Sequence, residues 1–76
     1  MLGLTTTALA ATGEFDDMCT QDLVMGKEVK TDCSVNATLD GKTYCFGTEA
    51  AKTEFMKDPK GNLAKARSNY SKKNPG

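Results

Sequence analysis

Three cysteines, at positions 19, 33 and 45, are the residues of this 76-residue chain whose type could support chemistry. Histidine is absent, which removes the commonest general base and the commonest metal ligand. Without a histidine to activate Cys45, a cysteine hydrolase of the usual form is excluded. The sequence also shows no glycine-rich phosphate loop, nucleophile elbow or zinc-hydrolase motif. We therefore predict that the protein is not an enzyme.

The cysteines could bind a metal, form a disulfide or be ordinary buried residues. Thiolates close to Met18 or Met25 would favour Cu(I), because soft ligands select soft metals. A disulfide would leave one spare thiol, and three inert thiols would act as small hydrophobic side chains. The spacing of the cysteines leaves these three alternatives open.

The chain from about Cys33 to Phe46 is predicted to form a β-hairpin around Asp40-Gly41. This dipeptide lies between two alternating segments and suits a two-residue type I′ turn, in which both central residues have positive φ. The turn fixes a register in which Leu39 faces Lys42 across the hairpin. One face of the hairpin then carries the apolar side chains of Val35, Ala37, Leu39, Tyr44 and Phe46. We expect this face to be buried, with Phe55 of the following helix packed over it.

The same register places the cysteines on the hairpin. Cys45 would project from the face opposite to Tyr44 and Phe46, because successive side chains of a strand alternate. By the same parity, Cys33 would point to the Val35 face and away from Cys45, unless a bulge precedes Val35. A site that uses Cys45 is therefore expected to recruit Cys33 less easily.

Helices are predicted after the hairpin. Thr48 is a good N-cap for a helix from Glu49 to Lys57, and Asp58-Pro59 would end it. Pro59 suits the first position of a helix, with Asp58 as its cap. Gly61-Asn62 indicates a break, after which a second short helix would present Leu63, Ala66 and Tyr70 on one face.

Before the hairpin, Leu23 to Lys30 is predicted to be a short strand, with Val24 and Val29 as its strand formers and a bend or bulge at Gly26. The expected fold class is α+β: a small three-stranded antiparallel sheet or a β-hairpin, followed by one or two short helices.

Length and charge limit the possible partners. A chain of 76 residues forms one domain at most, and its formal net charge of zero creates no field that would attract nucleic acid. No segment reaches the roughly 20 apolar residues of a membrane span. So small a core usually needs a disulfide, a metal or a second subunit, and we expect a homodimer rather than a monomer.

The N-terminal residues suggest export. Residues 1–11 are small, partly apolar and uncharged, and Ala8-Leu9-Ala10 fits the pattern before a signal cleavage site. Because no basic region precedes it, this would be only the tail of a signal peptide; the alternative is a frayed terminus or a cloning remnant. We expect residues 1–16 to be such a remnant or disordered, 17–70 to form the domain and 71–76 to be a disordered tail.

The residues from Gly41 to Pro59 read Gly-Lys-Thr-Tyr-Cys-Phe-Gly-Thr-Glu-Ala-Ala-Lys-Thr-Glu-Phe-Met-Lys-Asp-Pro. They resemble the core of YHS domains, small metal-binding modules related to the TRASH group, whose pattern is roughly Gly-Lys-x-Tyr-Tyr-Phe-Cys-Ser-x-x-Cys-Lys-x-x-Phe-x-x-Asp-Pro. Asp17-Met18-Cys19 stands where the family has its opening cysteine motif. The resemblance covers about Asp17 to Tyr70. Two family cysteines fall on Gly47 and Ala51, which cannot bind a metal through their side chains.

The resemblance implies a first function: a small YHS-like protein, periplasmic or secreted, that binds or passes on a transition metal, with copper as the expected ion. Cys19 matches a family ligand position and Cys45 is the nearest thiol on the expected face of the strand. The expected metal ligands are therefore Cys19 and Cys45, with Cys33 contributing less. The partners would be a metal ion or a metal-handling protein.

The alternative function is a degenerate, metal-free module that keeps the fold, carries a structural disulfide and serves as a protein-interaction or oligomerisation unit. The glycine and alanine at positions 47 and 51 favour this alternative, whereas the additional cysteines at positions 33 and 45 favour the first function.

Overall fold

The computed structural model describes residues 12–74, which form a β-hairpin with helical segments before and after it. Of residues 1–16, predicted to be a signal-peptide remnant or disordered, residues 1–11 lie outside the described residues, and the structure places a helical turn from Glu14. The elements in chain order are one helical turn at Glu14–Asp17, α1 at Thr20–Val24, β1 at Val35–Leu39, β2 at Lys42–Phe46, α2 at Glu49–Phe55 and α3 at Pro59–Lys73. The predicted α+β class is confirmed.

The hairpin forms as predicted. Its strands pair antiparallel, with Leu39 opposite Lys42 and Val35 opposite Phe46. Asp40 and Gly41 have φ of 52° and 78°, so both central residues of the turn adopt the left-handed conformation that a type I′ turn requires. A dipeptide that tolerates this conformation thus sets the register of the whole sheet.

The strand predicted from Leu23 to Lys30 is not formed: Leu23 and Val24 belong to the short helix α1, and residues 25–29 form a turn and irregular backbone. Only an isolated bridge between Met18 and Lys30 extends the pairing in this region. The carbonyl groups of Leu23 and Val24, at the end of α1, accept hydrogen bonds from Nδ2 of Asn69 in α3, at 2.8 and 3.4 Å. Asn69 therefore supplies hydrogen-bond donors for carbonyl groups at the end of α1. The periodicity of the local sequence does not indicate this helix.

The two later helices begin at the predicted caps. Thr48 Oγ1 accepts a hydrogen bond from Ala51 N at 3.0 Å, and Asp58 Oδ1 accepts one from Gly61 N at 3.3 Å. The first of these helices, α2, ends at Phe55, two residues before the predicted Lys57.

The predicted break at Gly61-Asn62 is wrong, because α3 runs without interruption for 15 residues and reaches Lys73. Both residues lie in its first turn, where they help to begin the helix. Gly61 N is capped by Asp58, and a side chain at position 61 would collide with that carboxylate. Asn62 Nδ2 donates to the carbonyl of Phe55 at 3.0 Å, which ties α3 to the end of α2.

The core lies between the hairpin and the helices. Its buried apolar residues are Cys19, Leu23, Cys33, Tyr44, Cys45, Phe46, Phe55 and Ala66. The rings of Phe46 and Phe55 lie 5.2 Å apart, which confirms the predicted packing of α2 on the hairpin. Val35 and Ala37, predicted to be buried with them, are only half-buried. Within residues 12–74, no helix combines the length and the apolar character that crossing a membrane demands.

Candidate functional site

Cys33 and Cys45 form a disulfide, with their Cα atoms 4.7 Å apart. The expectation that Cys33 points away from Cys45 is therefore wrong. Strand β1 begins only at Val35, and Cys33 itself adopts a left-handed φ of 61°, so strand parity does not extend to its side chain. Thr31 Oγ1 accepts a hydrogen bond from Cys33 N at 3.0 Å, which helps to hold the residue in this conformation.

The segment before α1 is an unusual left-handed turn. Phe15, Asp16 and Asp17 have φ of 59°, 58° and 63°, a conformation that costs a non-glycine residue about 1–2 kcal/mol. Contacts from the chain beyond α1 hold the turn. Thr31 donates to the carbonyl of Asp17 through both its backbone N and its Oγ1, at 3.1 and 2.7 Å. Lys30 Nζ contacts both the carbonyl and the carboxylate of Asp16, at 2.9 and 3.1 Å.

This turn brings Asp17 to the disulfide. Asp17 Oδ1 lies 3.7 Å from Sγ of Cys45, and the same oxygen accepts a hydrogen bond from Gly13 N. Gly13 lies directly on the sulfur atoms, and any side chain at position 13 would collide with Sγ of Cys45. One ligand atom from each of Asp17, Cys33 and Cys45 falls within 4.8 Å of the others.

The disulfide determines whether the sulfur atoms of this cluster can bind a metal. Both sulfur atoms belong to residues that are almost fully buried, and bonded sulfurs are not thiolates, which are the metal-binding form of cysteine. In the oxidised chain, Cys33 and Cys45 therefore have no thiolate to offer a metal. Their role in this state is structural, because the disulfide links the loop before β1 to β2.

Cys19, the third predicted ligand, lies in the core with Tyr44, Phe46 and Phe55. Its side chain is fully buried, and its Sγ accepts a hydrogen bond from Gly47 N at 3.3 Å. Burial raises the pKa of the Cys19 thiol, and hydrogen bonds from the backbone of Asp22 and Gly47 oppose this only in part. The thiol is therefore protonated at neutral pH, which makes it a poor ligand and a weak nucleophile.

Gly47 and Cys19 are neighbours, because a side-chain Cβ built at position 47 would lie 4.0 Å from Sγ of Cys19. Position 47 is one of the two places where the YHS pattern has a cysteine. A cysteine there would thus stand beside Cys19, whereas the glycine leaves Cys19 without a second thiol in that position.

The structure thus brings Cys33 and Cys45 together, while the one group of candidate ligands found in residues 12–74 does not include Cys19. Sequence reasoning did not identify Asp17 as a candidate ligand and named it only as the first residue of the Asp17-Met18-Cys19 segment. Its proximity to the sulfur atoms depends on left-handed backbone at positions 15–17, and the sequence signal for this is slight: aspartate tolerates such backbone better than most residues, but phenylalanine does not.

No family model, curated protein or solved structure matches the chain. The resemblance to YHS domains therefore rests on the quoted motif residues alone.

Proposed function

We propose that this chain is a non-catalytic, disulfide-stabilised module that acts by binding another protein chain in a periplasmic or extracellular compartment. The observation that carries the proposal is the Cys33–Cys45 disulfide, which uses two of the three cysteines and leaves a buried thiol at Cys19. Disulfides persist mainly in oxidising compartments. Small domains with thin cores commonly depend on them for stability.

The outer edge of β1 is the surface that supports partner binding. In a hairpin with a two-residue turn, the residues that flank the turn exchange hydrogen bonds, and every second pair does the same. Asn36 and Thr38 therefore direct their backbone N–H and C=O groups away from β2. In the part of the chain that the structure describes, no backbone hydrogen bond reaches these groups.

The chemistry of β1 favours pairing with another strand. Its sequence, Val-Asn-Ala-Thr-Leu, contains no charged residue and no proline, which are the residues that usually protect an exposed edge. Leu39 also lines an open cleft of about 210 Å³ with Pro59 and Leu63. A strand added along β1 would extend the sheet from an edge whose last residue lines this apolar cleft.

The proposed partner is a second copy of the chain. Two β1 strands related by a twofold axis through Ala37 would pair Asn36 of one copy with Thr38 of the other, and the reverse. The outward N–H and C=O groups of one copy are thus complementary to the same groups of the second copy. Because the net charge is zero, no overall repulsion opposes the approach of two copies.

The test is the molar mass in solution, measured by light scattering on oxidised wild type, Thr38→Pro and Thr38→Val at high micromolar concentration. Proline at position 38 removes an outward N–H without disturbing a bond to β2, whereas valine keeps that N–H. We expect wild type and Thr38→Val to dimerise and Thr38→Pro to be monomeric. A monomeric wild type, or a dimer that persists in Thr38→Pro, would contradict the proposed interface.

A second candidate function is the binding or transfer of a transition metal, with copper as the expected ion. The observation that favours it is the grouping of Asp17 with Cys33 and Cys45 within 4.8 Å. Metal binding by this group requires the reduced protein. Intact-mass measurements under native and denaturing conditions, on oxidised and reduced samples, should show the ion only in the native spectrum of the reduced chain. If neither sample retains metal, this candidate fails.

A further inference from the structure

We infer that the buried disulfide is the closed state of a metal site, in which reduced Cys33 and Cys45 together with Asp17 bind a borderline divalent cation such as Zn(II). This inference rests on the second candidate function and deepens it. It differs from the copper site expected from the sequence in its ligands, since Cys19 is not among them, and in its metal.

The distances are suitable for such a site. The candidate ligand atoms lie within 4.8 Å of one another, and a tetrahedral Zn(II) ion holds its sulfur and oxygen ligands roughly 3.5–4 Å apart. Breaking the bond between the sulfurs would let them separate towards that spacing. Asp17 Oδ1, 3.7 Å from Sγ of Cys45, already stands at about the required distance.

The carboxylate of Asp17 favours Zn(II) over Cu(I). Two thiolates alone are sufficient for Cu(I), which accepts a near-linear arrangement, and a carboxylate adds little to so soft an ion. Zn(II) binds both sulfur and carboxylate oxygen, and a fourth position can be filled by water. A site with two thiolates and one carboxylate therefore suits Zn(II) better than a site with two thiolates alone.

The left-handed turn is the second observation. Backbone of this kind in non-glycine residues persists only where its surroundings hold it, and it is concentrated at functional sites. Here the turn at positions 15–17 places the Asp17 carboxylate against a disulfide, whose sulfur atoms have no proton to donate to it. After reduction, the two neutral thiols could donate to this carboxylate, and a divalent cation that displaces their protons would balance the negative charge of the carboxylate and the two thiolates.

The chemistry balances with a dithiol as reductant. The dithiol is oxidised to its own disulfide and supplies two electrons and two protons, while the bond between the sulfurs of Cys33 and Cys45 breaks and both become thiols. Binding of Zn(II) then displaces the two thiol protons to solvent. The segment that carries Gly13 must move aside, because it covers the sulfur atoms.

The test compares reduced wild type, Asp17→Asn and Cys19→Ser in competition titrations with Zn(II) and, separately, with Cu(I). Asparagine keeps an oxygen that can accept the hydrogen bond from Gly13, so oxidised Asp17→Asn should retain the fold. We expect Asp17→Asn to bind Zn(II) at least about tenfold more weakly and to bind Cu(I) as wild type does. Cys19→Ser should match wild type for both ions.

Equal Zn(II) affinity in wild type and Asp17→Asn, or an equal loss in Cys19→Ser, would overturn the inference. Loss of Cu(I) binding in Cys19→Ser would support the copper site expected from the sequence instead. If the reduced chain unfolds, Zn(II) should restore the near-ultraviolet circular dichroism of wild type but not that of Asp17→Asn; no recovery in wild type would also overturn it. Self-association through β1, measured on the oxidised chain, does not depend on this result.

Discussion

The two strands of the hairpin are covered very differently by the rest of the chain. In β2, Tyr44, Cys45 and Phe46 are all at most 2% exposed, and at its outer edge Thr20 Oγ1 donates to the carbonyl of Cys45 at 3.0 Å. In β1, no residue is fully buried, and its outer edge has no backbone partner among residues 12–74. The residues before the hairpin therefore protect one edge of the sheet and leave the other free to pair.

The largest expected effect tests the difference in burial between paired positions. Phe46→Ala should lower the free energy of unfolding by about 3–5 kcal/mol, because it leaves a cavity beside Phe55. Val35→Ala, at the cross-strand partner, should cost only about 1 kcal/mol, since that side chain is half-exposed. Urea denaturation of the oxidised proteins measures both values, and equal losses would mean that the strands do not differ in burial.

Loss of the disulfide, which holds β2 to the loop before β1, should have the next largest effect on the free energy of unfolding. Replacing Cys33 and Cys45 together with alanine should cost about 3 kcal/mol, because the bond closes a short loop across a sequence separation of 12 residues. Wild type treated with a dithiol should lose a similar amount of stability in the same denaturation experiment. A chain that is equally stable in both redox states would show that the covering segment, rather than the bond, holds the strand.

The two threonines at the outer edges give a matched comparison. Thr20→Val removes the donor to the buried carbonyl of Cys45 and should cost about 1–3 kcal/mol. Thr38→Val, at the open edge, should change the stability of the monomer by less than about 0.5 kcal/mol. Denaturation at low micromolar concentration separates this comparison from dimerisation. A loss at Thr38 as large as that at Thr20 would indicate that both edges are closed.

The smallest effect concerns the loop that leads into β1. Asp32 Oδ1 accepts hydrogen bonds from Ser34 N and Oγ, at 3.0 and 2.8 Å, and these bonds lower the pKa of the Asp32 carboxyl below its ordinary value of 3.8. The carboxylate therefore stabilises the fold above this pH, and the contribution disappears as the pH falls through the lowered pKa. The difference in melting temperature between wild type and Asp32→Asn should be small at pH 7 and vanish in acid. A difference that grows in acid would contradict the assignment.

The parts of the fold that sequence reasoning predicted are those in which local chemistry decides. Asp40-Gly41 tolerates positive φ and so sets the turn and the register. Thr48 and Asp58 cap their helices through hydrogen bonds to residues three positions away. Each of these devices is complete within a few residues, so the sequence alone is sufficient to recognise it.

The parts of the fold that sequence reasoning missed depend on contacts between residues that are far apart in the sequence. The end of α1 is stabilised in part by Asn69, 46 residues from Leu23, and the stretch around Val24 is helical although it contains strand formers. The prediction of the candidate site was wrong for a related reason. The left-handed backbone of Cys33 reverses the side on which its sulfur lies, and Asp17 reaches the cluster only through a turn that Thr31 and Lys30 hold in place.

The disulfide joins residues on opposite sides of an exposed turn, since Cys33 precedes Asp40-Gly41 and Cys45 follows it. A protease that cuts between Asp40 and Gly41 would divide the chain into two pieces, but the covalent bond would keep them together in a single molecule. Four of the five paired positions of the strands lie between the cut and Cys45, so the disulfide would also hold the two strands side by side. A single cut at this exposed turn would therefore not release either part of the chain.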